Sequence, residues 1–92
     1  MNDRQRLDFH AISPKKSLGQ NFLHDPNALD KIVATADLTA NSTVLEIGPG
    51  TGNLTRALAR VAQRVVAVEL DDRLIPLLRR EFADQPHVEI VH

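Results

Sequence analysis

Apolar residues at helical spacing follow Asp25 and Pro26. The Asp25 side chain is able to accept a hydrogen bond from a free amide of a first helical turn. Pro26 suits the first helical position, because its missing N–H would have no partner there. The pattern predicts an amphipathic helix that begins at Pro26 and carries one apolar stripe: Leu29, Ile32, Val33 and Ala36.

Three apolar runs in the rest of the chain predict strands. They cover residues 44–47, 64–69 and 88–91. The run 64–69 is nearly continuously apolar, which is typical of a strand that is buried on both faces. A strand that precedes Gly48 therefore leads directly into a cluster of glycines.

Two further helical stripes lie between these runs. The first contains Leu54, Leu58 and Val61, and the second contains Leu74, Leu77, Leu78 and Phe82. We expect Asp71 and Asp72 to cap the helix that carries the second stripe. Pro76 would then stand about one turn inside that helix and remove one hydrogen bond from it.

The order helix, strand, helix, strand, helix, strand indicates βαβ units and a parallel sheet, the α/β class. We expect two parts: an N-terminal arm at residues 1–24, which has no clear period, and an α/β unit at residues 25–92. At 92 residues there is room for one small domain, and the chain is either a small independent unit or a piece of a larger fold.

Composition removes several classes of protein. Lys+Arg 11 against Asp+Glu 12 gives a net charge of -1, so the chain is not a generally basic nucleic-acid binder. Without cysteine there are no disulfides or thiolate zinc sites, and the four histidines have no metal-ligand spacing, so we expect no metal. No apolar run approaches the length of a membrane span. A reducing cytoplasm fits this composition best.

The glycines follow the pattern Gly48-x-Gly50-x-Gly52 between a predicted strand and a predicted helix. Such a turn lets a ligand approach the backbone, and the helix N-terminus favours negative charge. The dinucleotide fingerprint has its third glycine one position later, where this chain has Asn53, and the lysine of a P-loop is missing. A tight turn without any ligand is the alternative interpretation.

Glu69 strengthens the ligand interpretation. It ends the second predicted strand, 21 positions after Gly48. A carboxylate at that place is able to accept both hydroxyls of a ribose lying across the glycine turn. A solvent-facing acid at a strand end is the alternative interpretation of Glu69 taken alone, but the combination indicates a nucleoside-bearing cofactor.

Two segments resemble a known family. Residues 44–55 read Val-Leu-Glu-Ile-Gly-Pro-Gly-Thr-Gly-Asn-Leu-Thr and resemble the first motif of S-adenosylmethionine-dependent methyltransferases. Residues 18–23 read Leu-Gly-Gln-Asn-Phe-Leu, and with Asp25 and Pro26 they resemble the ribosomal RNA adenine N6,N6-dimethyltransferases, the kasugamycin-resistance family. The resemblance covers residues from about 13 to 92 and implies the N-terminal half of a Rossmann-like methyltransferase fold. Its three parallel strands would have the order 3-2-1, with flanking helices.

The resemblance implies binding roles for residues of the α/β unit. Gly48 and Gly50 would approach the methionine part of S-adenosylmethionine, and Glu69 would accept hydrogen bonds from the ribose hydroxyls. Leu70 would pack on the adenine. Glu46 would orient the ammonium of the cofactor, directly or through water, or would instead be a carboxylate satisfied by loop amides.

The resemblance also assigns residues of the arm. Asn21 and Leu23 would close over the cofactor, with Gln20 supporting the loop, although a purely structural loop role remains open for Asn21. Lys15 and Lys16 stand where this family meets RNA phosphates. Two adjacent lysines are equally compatible with a solvated surface.

The activity implied is dimethylation of N6 of two adjacent adenosines in small-subunit (16S) rRNA, on the rRNA or a pre-30S particle. The family's catalytic Asn-Leu/Ile-Pro-Tyr/Phe motif does not occur in these 92 residues. We therefore expect the catalytic residues beyond residue 92 and expect this segment alone to be inactive.

Three further expectations concern alternatives and assembly. A methyltransferase-fold RNA-binding, assembly or transcription factor without catalysis remains open, whereas the glycine spacing disfavours an NAD-dependent oxidoreductase.

In the implied fold a fourth strand lies beside the first, so strand 44–47 would present a bare edge. We expect such an edge to pair with a second copy of the chain.

Overall fold

The computed structural model describes residues 24–92 and confirms the predicted alternation of helices and strands. Lys15, Lys16, Asn21 and Leu23 lie outside the described residues. The helices and strands are α1 (Pro26–Ala36), β1 (Thr43–Ile47), α2 (Asn53–Ala59), β2 (Arg64–Val68), α3 (Ile75–Glu81) and β3 (Val88–Val91).

The three strands form one parallel sheet in the order β1-β2-β3, which confirms the predicted order 3-2-1 and the α/β class. In the register of β1 with β2, Glu46 lies beside Ala67, and Ile47 lies beside Val68. The carboxyl ends of β1 and β2 therefore meet at one edge of the sheet, and the glycines follow β1 at that edge.

The core lies on one face of this sheet. Val44, Val65 and Val88 lie on neighbouring strands and pack with side chains from α2 and α3. Leu58 is the centre of this packing, with 0% of its surface exposed. From the helices the buried cluster takes Leu54, Leu58, Ala59 and Leu78, and Phe82 joins it directly after the end of α3.

The opposite face of the sheet is only partly covered in residues 24–92. Val66 and Val68 of β2 are half-buried, and Ile47 of β1 is 37% exposed. The expectation that β2 is buried on both faces is thus met on one face, because α2 and α3 pack against the Val44, Val65 side.

Helix α1 begins and ends as capping chemistry requires. Asp25 Oδ1 accepts a hydrogen bond from the backbone N–H of Asn27 at 2.9 Å, and Pro26 occupies the first turn, as predicted. The helix ends at Asp37, whose φ of 54° is left-handed and whose N–H donates to Ala34 O. Leu29, Ile32 and Val33 pack against the core.

Helix α3 begins later than the sequence pattern indicates. Residues 71–74 form a separate turn, in which Asp71 Oδ1 accepts from the N–H of Arg73, and the helix proper begins at Ile75. Pro76 therefore stands in the first helical turn, where an N–H has no helical partner. The expected loss of a hydrogen bond at Pro76 was wrong. The expected capping of α3 by Asp71 and Asp72 was also wrong, because Leu74 is the N-cap and no side chain caps the helix.

The predicted stripe of α2 was wrong at its last position. The helix ends at Ala59, and the turn that follows leaves Val61 40% exposed. Ala62 takes the buried position instead, with its N–H donating to Leu58 O.

Across residues 24–92, none of the helices has both the length and the apolar character needed to cross a membrane.

The packing around Leu58 generates a stability prediction. Replacing Leu58 by Ala removes a side chain with no exposure, and we expect the free energy of unfolding to fall by about 2–5 kcal/mol. Leu77→Ala is the matched control, because Leu77 is 55% exposed and its loss should change stability by no more than about 0.5 kcal/mol. Urea unfolding followed by circular dichroism measures both variants. Equal losses would contradict the assignment of the core.

Candidate functional site

The glycine turn (Gly48–Gly52) connects β1 to α2 through left-handed backbone. The φ angles of Gly48, Gly50 and Gly52 are 72°, 60° and 90°, a region that residues with a Cβ rarely adopt. The N–H of Gly48 donates to Val68 O at 2.8 Å and so ties the start of the turn to β2. The three glycines are thus required by the conformation of the turn.

The glycines differ in what surrounds them. Among residues 24–92, a Cβ added at Gly48 or Gly50 would meet nothing within 4 Å, so both face space that this part of the chain leaves open. A Cβ at Gly52 would lie 3.0 Å from the ring of Phe82, which packs directly on this glycine. The missing side chains of Gly48 and Gly50 leave space for a ligand, whereas the missing side chain of Gly52 leaves space for the Phe82 ring of the core.

Glu69 faces the glycine turn from the end of β2. Its Oε1 accepts a hydrogen bond from the N–H of Gly50 at 3.2 Å, and its Oε2 accepts from the N–H of Asp71 at 3.0 Å. The residue is only 8% exposed. We call the surface formed by Gly48, Gly50 and the Glu69 carboxylate the cradle. The two parts that the sequence analysis combined are therefore in contact.

Glu46 is buried beside the cradle, with 1% of its surface exposed. Its Oε1 accepts a hydrogen bond of 2.5 Å from the Thr55 hydroxyl rather than from a loop amide. Burial raises the pKa of Glu46 to about 7; the bond from Thr55 opposes this rise, and the nearby Glu69 carboxylate adds to it. The predicted contact of Glu46 with an ammonium stays a prediction.

Leu70 and the turn after it border the cradle. Leu70 is 86% exposed, so its side chain is free to pack on a planar group, and its predicted contact with adenine stays a prediction. In the following turn, the side-chain and backbone hydrogen bonds from Arg73 lower the pKa of Asp71 to about 2. The N–H of Asp71 that binds Glu69 is thus held in an ordered turn.

Thr55 is the site residue that the sequence analysis missed. It stands nine positions after Glu46, on the far side of the glycine turn, and is 0% exposed. A hydroxyl residue between the buried Leu54 and Leu58 is a signal for a buried polar contact. The partner of that hydroxyl follows only from the three-dimensional arrangement of β1 and α2.

Arg56 and Phe82 support the turn from behind. The Arg56 guanidinium donates to Glu81 Oε1 at 2.7 Å and to Asn53 Oδ1 at 2.5 Å, and it lies 6.0 Å from the centre of the Phe82 ring. These contacts join the start of α2 to α3. They hold in place the ring that packs on the glycine turn.

The chemistry of the site is that of binding by hydrogen bonds and charge. The cradle combines carboxylate acceptors with backbone at which a ligand atom meets no Cβ. Residues 24–92 contain no group of three His, Cys, Asp or Glu side chains that would hold a metal ion. The arrangement thus suits a small polar ligand that offers hydroxyl or ammonium donors.

The buried carboxylate generates a pH prediction. The pKa of Glu46 is about 7 in the folded chain, against 4.5 for an ordinary exposed glutamate, as in the unfolded chain. Between these two pH values the folded state therefore holds a proton that the unfolded state loses. The free energy of unfolding should therefore fall by about 3 kcal/mol as the pH rises from about 4.5 to 7. Glu46→Gln should remove this loss, as measured by urea unfolding at several pH values.

Asp84→Asn is the control for this prediction. It removes one carboxylate that is exposed in the folded chain, so the decline between those pH values should persist. Asp71, with its pKa of about 2, titrates below this range and does not interfere. A decline that also persists in Glu46→Gln would show that another group causes it.

Comparison with known proteins supports one family. The model of the family described as Ribosomal RNA adenine dimethylase matches residues 11–92. Among curated proteins, Ribosomal RNA small subunit methyltransferase A of Lactiplantibacillus plantarum is 54% identical over 89 residues, and that of Enterococcus faecalis is 51% identical over 89 residues. Both alignments cover 97% of this chain, and the chain spans about 30% of the length of these relatives.

Solved structures agree with this result. The 23S rRNA methyltransferase ErmE aligns with 77% of this chain and 29% of its own, at a TM-score of 0.72 and 44% identity. A dimethyladenosine transferase from Plasmodium falciparum aligns with 74% of this chain and 26% of its own, at a TM-score of 0.68 and 34% identity. The fold is therefore the Rossmann-like fold of these methyltransferases, and the chain belongs to the ribosomal RNA adenine dimethylase family.

Proposed function

We propose that this chain binds S-adenosylmethionine and forms the cofactor-binding part of an rRNA methyltransferase. Its substrate would be N6 of two adjacent adenosines in small-subunit rRNA, in the cytoplasm, on the rRNA or a pre-30S particle. The observation that carries the proposal is the cradle. Gly48 and Gly50 there face space left open by residues 24–92, and the Glu69 carboxylate accepts a hydrogen bond from the N–H of Gly50.

The cradle fits the parts of the cofactor. The open space at Gly48 and Gly50 would accommodate the methionine part, and a Cβ at either position would occupy part of that space. Each oxygen of Glu69 accepts one backbone N–H and has a second acceptor site, so the carboxylate is able to receive the two ribose hydroxyls as well. The exposed side chain of Leu70 would pack on the adenine.

The remaining assigned residues extend this site. Glu46 would attract the ammonium of the cofactor from its buried position next to Glu69. Asn21 and Leu23 of the arm (residues 1–24) would close over the cofactor, and Lys15 and Lys16 would contact RNA phosphates. The assignments in the arm rest on the family's motif alone. The assignments in the α/β unit (25–92) rest on the motif and also on the geometry of the cradle.

The chemistry follows from binding and alignment. When bound, the cofactor supplies an electrophilic methyl group attached to a sulfonium. The carboxylate of Glu69 and the backbone of Gly48 and Gly50 would fix the direction of that group, and such alignment is able to lower a barrier by about 7–11 kcal/mol. This chain therefore contributes orientation, and the 92 residues hold no copy of the family's catalytic motif.

Replacement of Glu69 tests the proposal. We expect calorimetry to show binding of S-adenosylhomocysteine and no binding of NAD. Glu69→Gln should lower the affinity for S-adenosylhomocysteine at least tenfold, because it removes a charge-assisted acceptor of the ribose hydroxyls. Asp72→Asn is the matched control, since it makes the same charge change three positions later on a side chain that is 82% exposed.

The contradicting outcomes are distinct. If the wild-type chain binds neither S-adenosylmethionine nor S-adenosylhomocysteine, the proposed cofactor is wrong. If Glu69→Gln and Asp72→Asn bind S-adenosylhomocysteine equally well, the proposed cofactor stands and the proposed role of Glu69 is wrong. Binding of NAD would favour the oxidoreductase interpretation instead.

We also propose self-association of the 92-residue chain through β1. In residues 24–92, β1 pairs with β2 along one edge, and its half-buried Leu45 and exposed Ile47 border the other. An unpaired apolar edge recruits a second strand, and the neighbouring copy of β1 has the same pattern.

Light scattering with size-exclusion chromatography checks this prediction. The apparent mass should rise with concentration towards that of a dimer, and Leu45→Lys should return it to a monomer, because a charge at the edge opposes pairing. A stable monomer of the unmodified chain at high concentration would contradict the prediction.

A further inference from the structure

A hydrogen bond joins the two ends of the glycine turn. Glu46 precedes the turn on β1, and Thr55 follows it on α2, and the Thr55 hydroxyl donates to Glu46 Oε1 at 2.5 Å. Both side chains are buried, with exposures of 0% for Thr55 and 1% for Glu46. The bond therefore fixes one carboxylate oxygen in a place from which solvent is excluded.

The Thr55 hydroxyl bonds a side chain on another element. Thr55 stands in the first turn of α2, where the residue four positions earlier lies in the glycine turn, outside the helix. A threonine in a helix commonly donates to the carbonyl four residues earlier, and Thr35 of α1 does so, with its Oγ1 at 2.7 Å from Lys31 O. Thr55 donates instead to a side chain on another element. The chain thus contains both arrangements, and only the one at Thr55 serves the glycine turn.

The surroundings of Glu46 give this bond an electrostatic effect. Ala67 lies beside Glu46 in the register of the sheet and offers a small neutral side chain. The Glu69 carboxylate at the end of β2 opposes the charge on Glu46, and Arg56 of α2 is directed away to Glu81 and Asn53. The Thr55 hydroxyl is therefore the contact among the described residues that favours the charged form of Glu46.

We propose that Thr55 is a positioning residue: its hydroxyl holds the Glu46 carboxylate in one orientation, so that the cradle selects nucleosides carrying an amino-acid ammonium over nucleosides without one. This inference rests on the proposed function and adds a determinant of ligand specificity to it. Thr55 acts through Glu46 and does not itself touch the ligand.

The inference makes the selection depend on pH. Glu46, with a pKa near 7, is neutral in acid and charged in base, so the ammonium should bind more tightly as the pH rises through this value. Loss of the Thr55 hydroxyl should move the titration of Glu46 to higher pH, because that bond favours the charged form. A nucleoside without the ammonium should show neither effect.

The first measurement needs no ligand. In the chain labelled with carbon-13 at glutamate, the chemical shift of the Glu46 carboxyl carbon follows its protonation. Thr55→Val, which keeps the shape and removes the hydroxyl, should raise the midpoint, whereas Thr55→Ser should restore it. Thr35→Val is the control, because it removes the hydroxyl that bonds within α1.

The second measurement uses two nucleosides that differ in the amino-acid part. S-adenosylhomocysteine carries the ammonium, and 5′-methylthioadenosine lacks it. At pH 7.5, Thr55→Val should lower the affinity for S-adenosylhomocysteine by about tenfold. This is the loss expected for one hydrogen bond to a charged group. The affinity of 5′-methylthioadenosine should stay within about twofold, and Thr55→Ser should bind both as the wild type does.

Each other outcome has a definite meaning. An unchanged Glu46 titration in Thr55→Val, or an equal loss for both nucleosides, would overturn the inference while leaving the cofactor proposal intact. If Thr55→Val does not fold, the wild-type profile decides: a flat affinity for S-adenosylhomocysteine between pH 5.5 and 8 would overturn the inference. Failure of both nucleosides to bind the wild type would overturn the proposed function itself.

Discussion

The parallel pairing of β1 with β2 is the constraint on which the site depends. Their register places Ile47 beside Val68, so the residues that follow each strand emerge at the same edge of the sheet. Gly48 donates to Val68 O, and Glu69 reaches back to the N–H of Gly50. A shift of this register by one residue would turn the side chain of Glu46 to the opposite face and separate Glu69 from the turn.

The glycine turn is held from two sides that do different work. Gly48 and Gly50 keep their surface open, and no atom of the described part of the chain lies within 4 Å of their Cβ positions, which leaves the cradle accessible from it. Gly52 has the Phe82 ring 3.0 Å from its Cβ position, and Arg56 braces that ring from α2. One motif thus combines a binding surface with the packing of α2 against α3, so the space beside Gly48 and Gly50 serves the binding surface and the space beside Gly52 serves the packing.

Glu46 shows a conflict between stability and function within the same few residues. Its carboxylate continues the buried face of β1 and faces both an apolar core and a second carboxylate, which destabilises its charged form. The Thr55 hydroxyl offsets part of that cost and fixes where the charge lies. A buried acid at the edge of a binding surface is the kind of local cost that functional sites retain.

The sequence by itself determined the order of elements, the capping of α1 by Asp25, the glycine turn and the pairing of that turn with Glu69, because these follow from local spacing and from the geometry of parallel strands. It placed the start of α3 before Leu74 rather than at Ile75, since the hydrophobic stripe begins before the helix does. It also missed Thr55, because contact between residues on different elements is set by how α2 packs on the sheet. Tertiary structure alone decided that partner and the burial of Glu46, since both depend on which surfaces exclude water after packing.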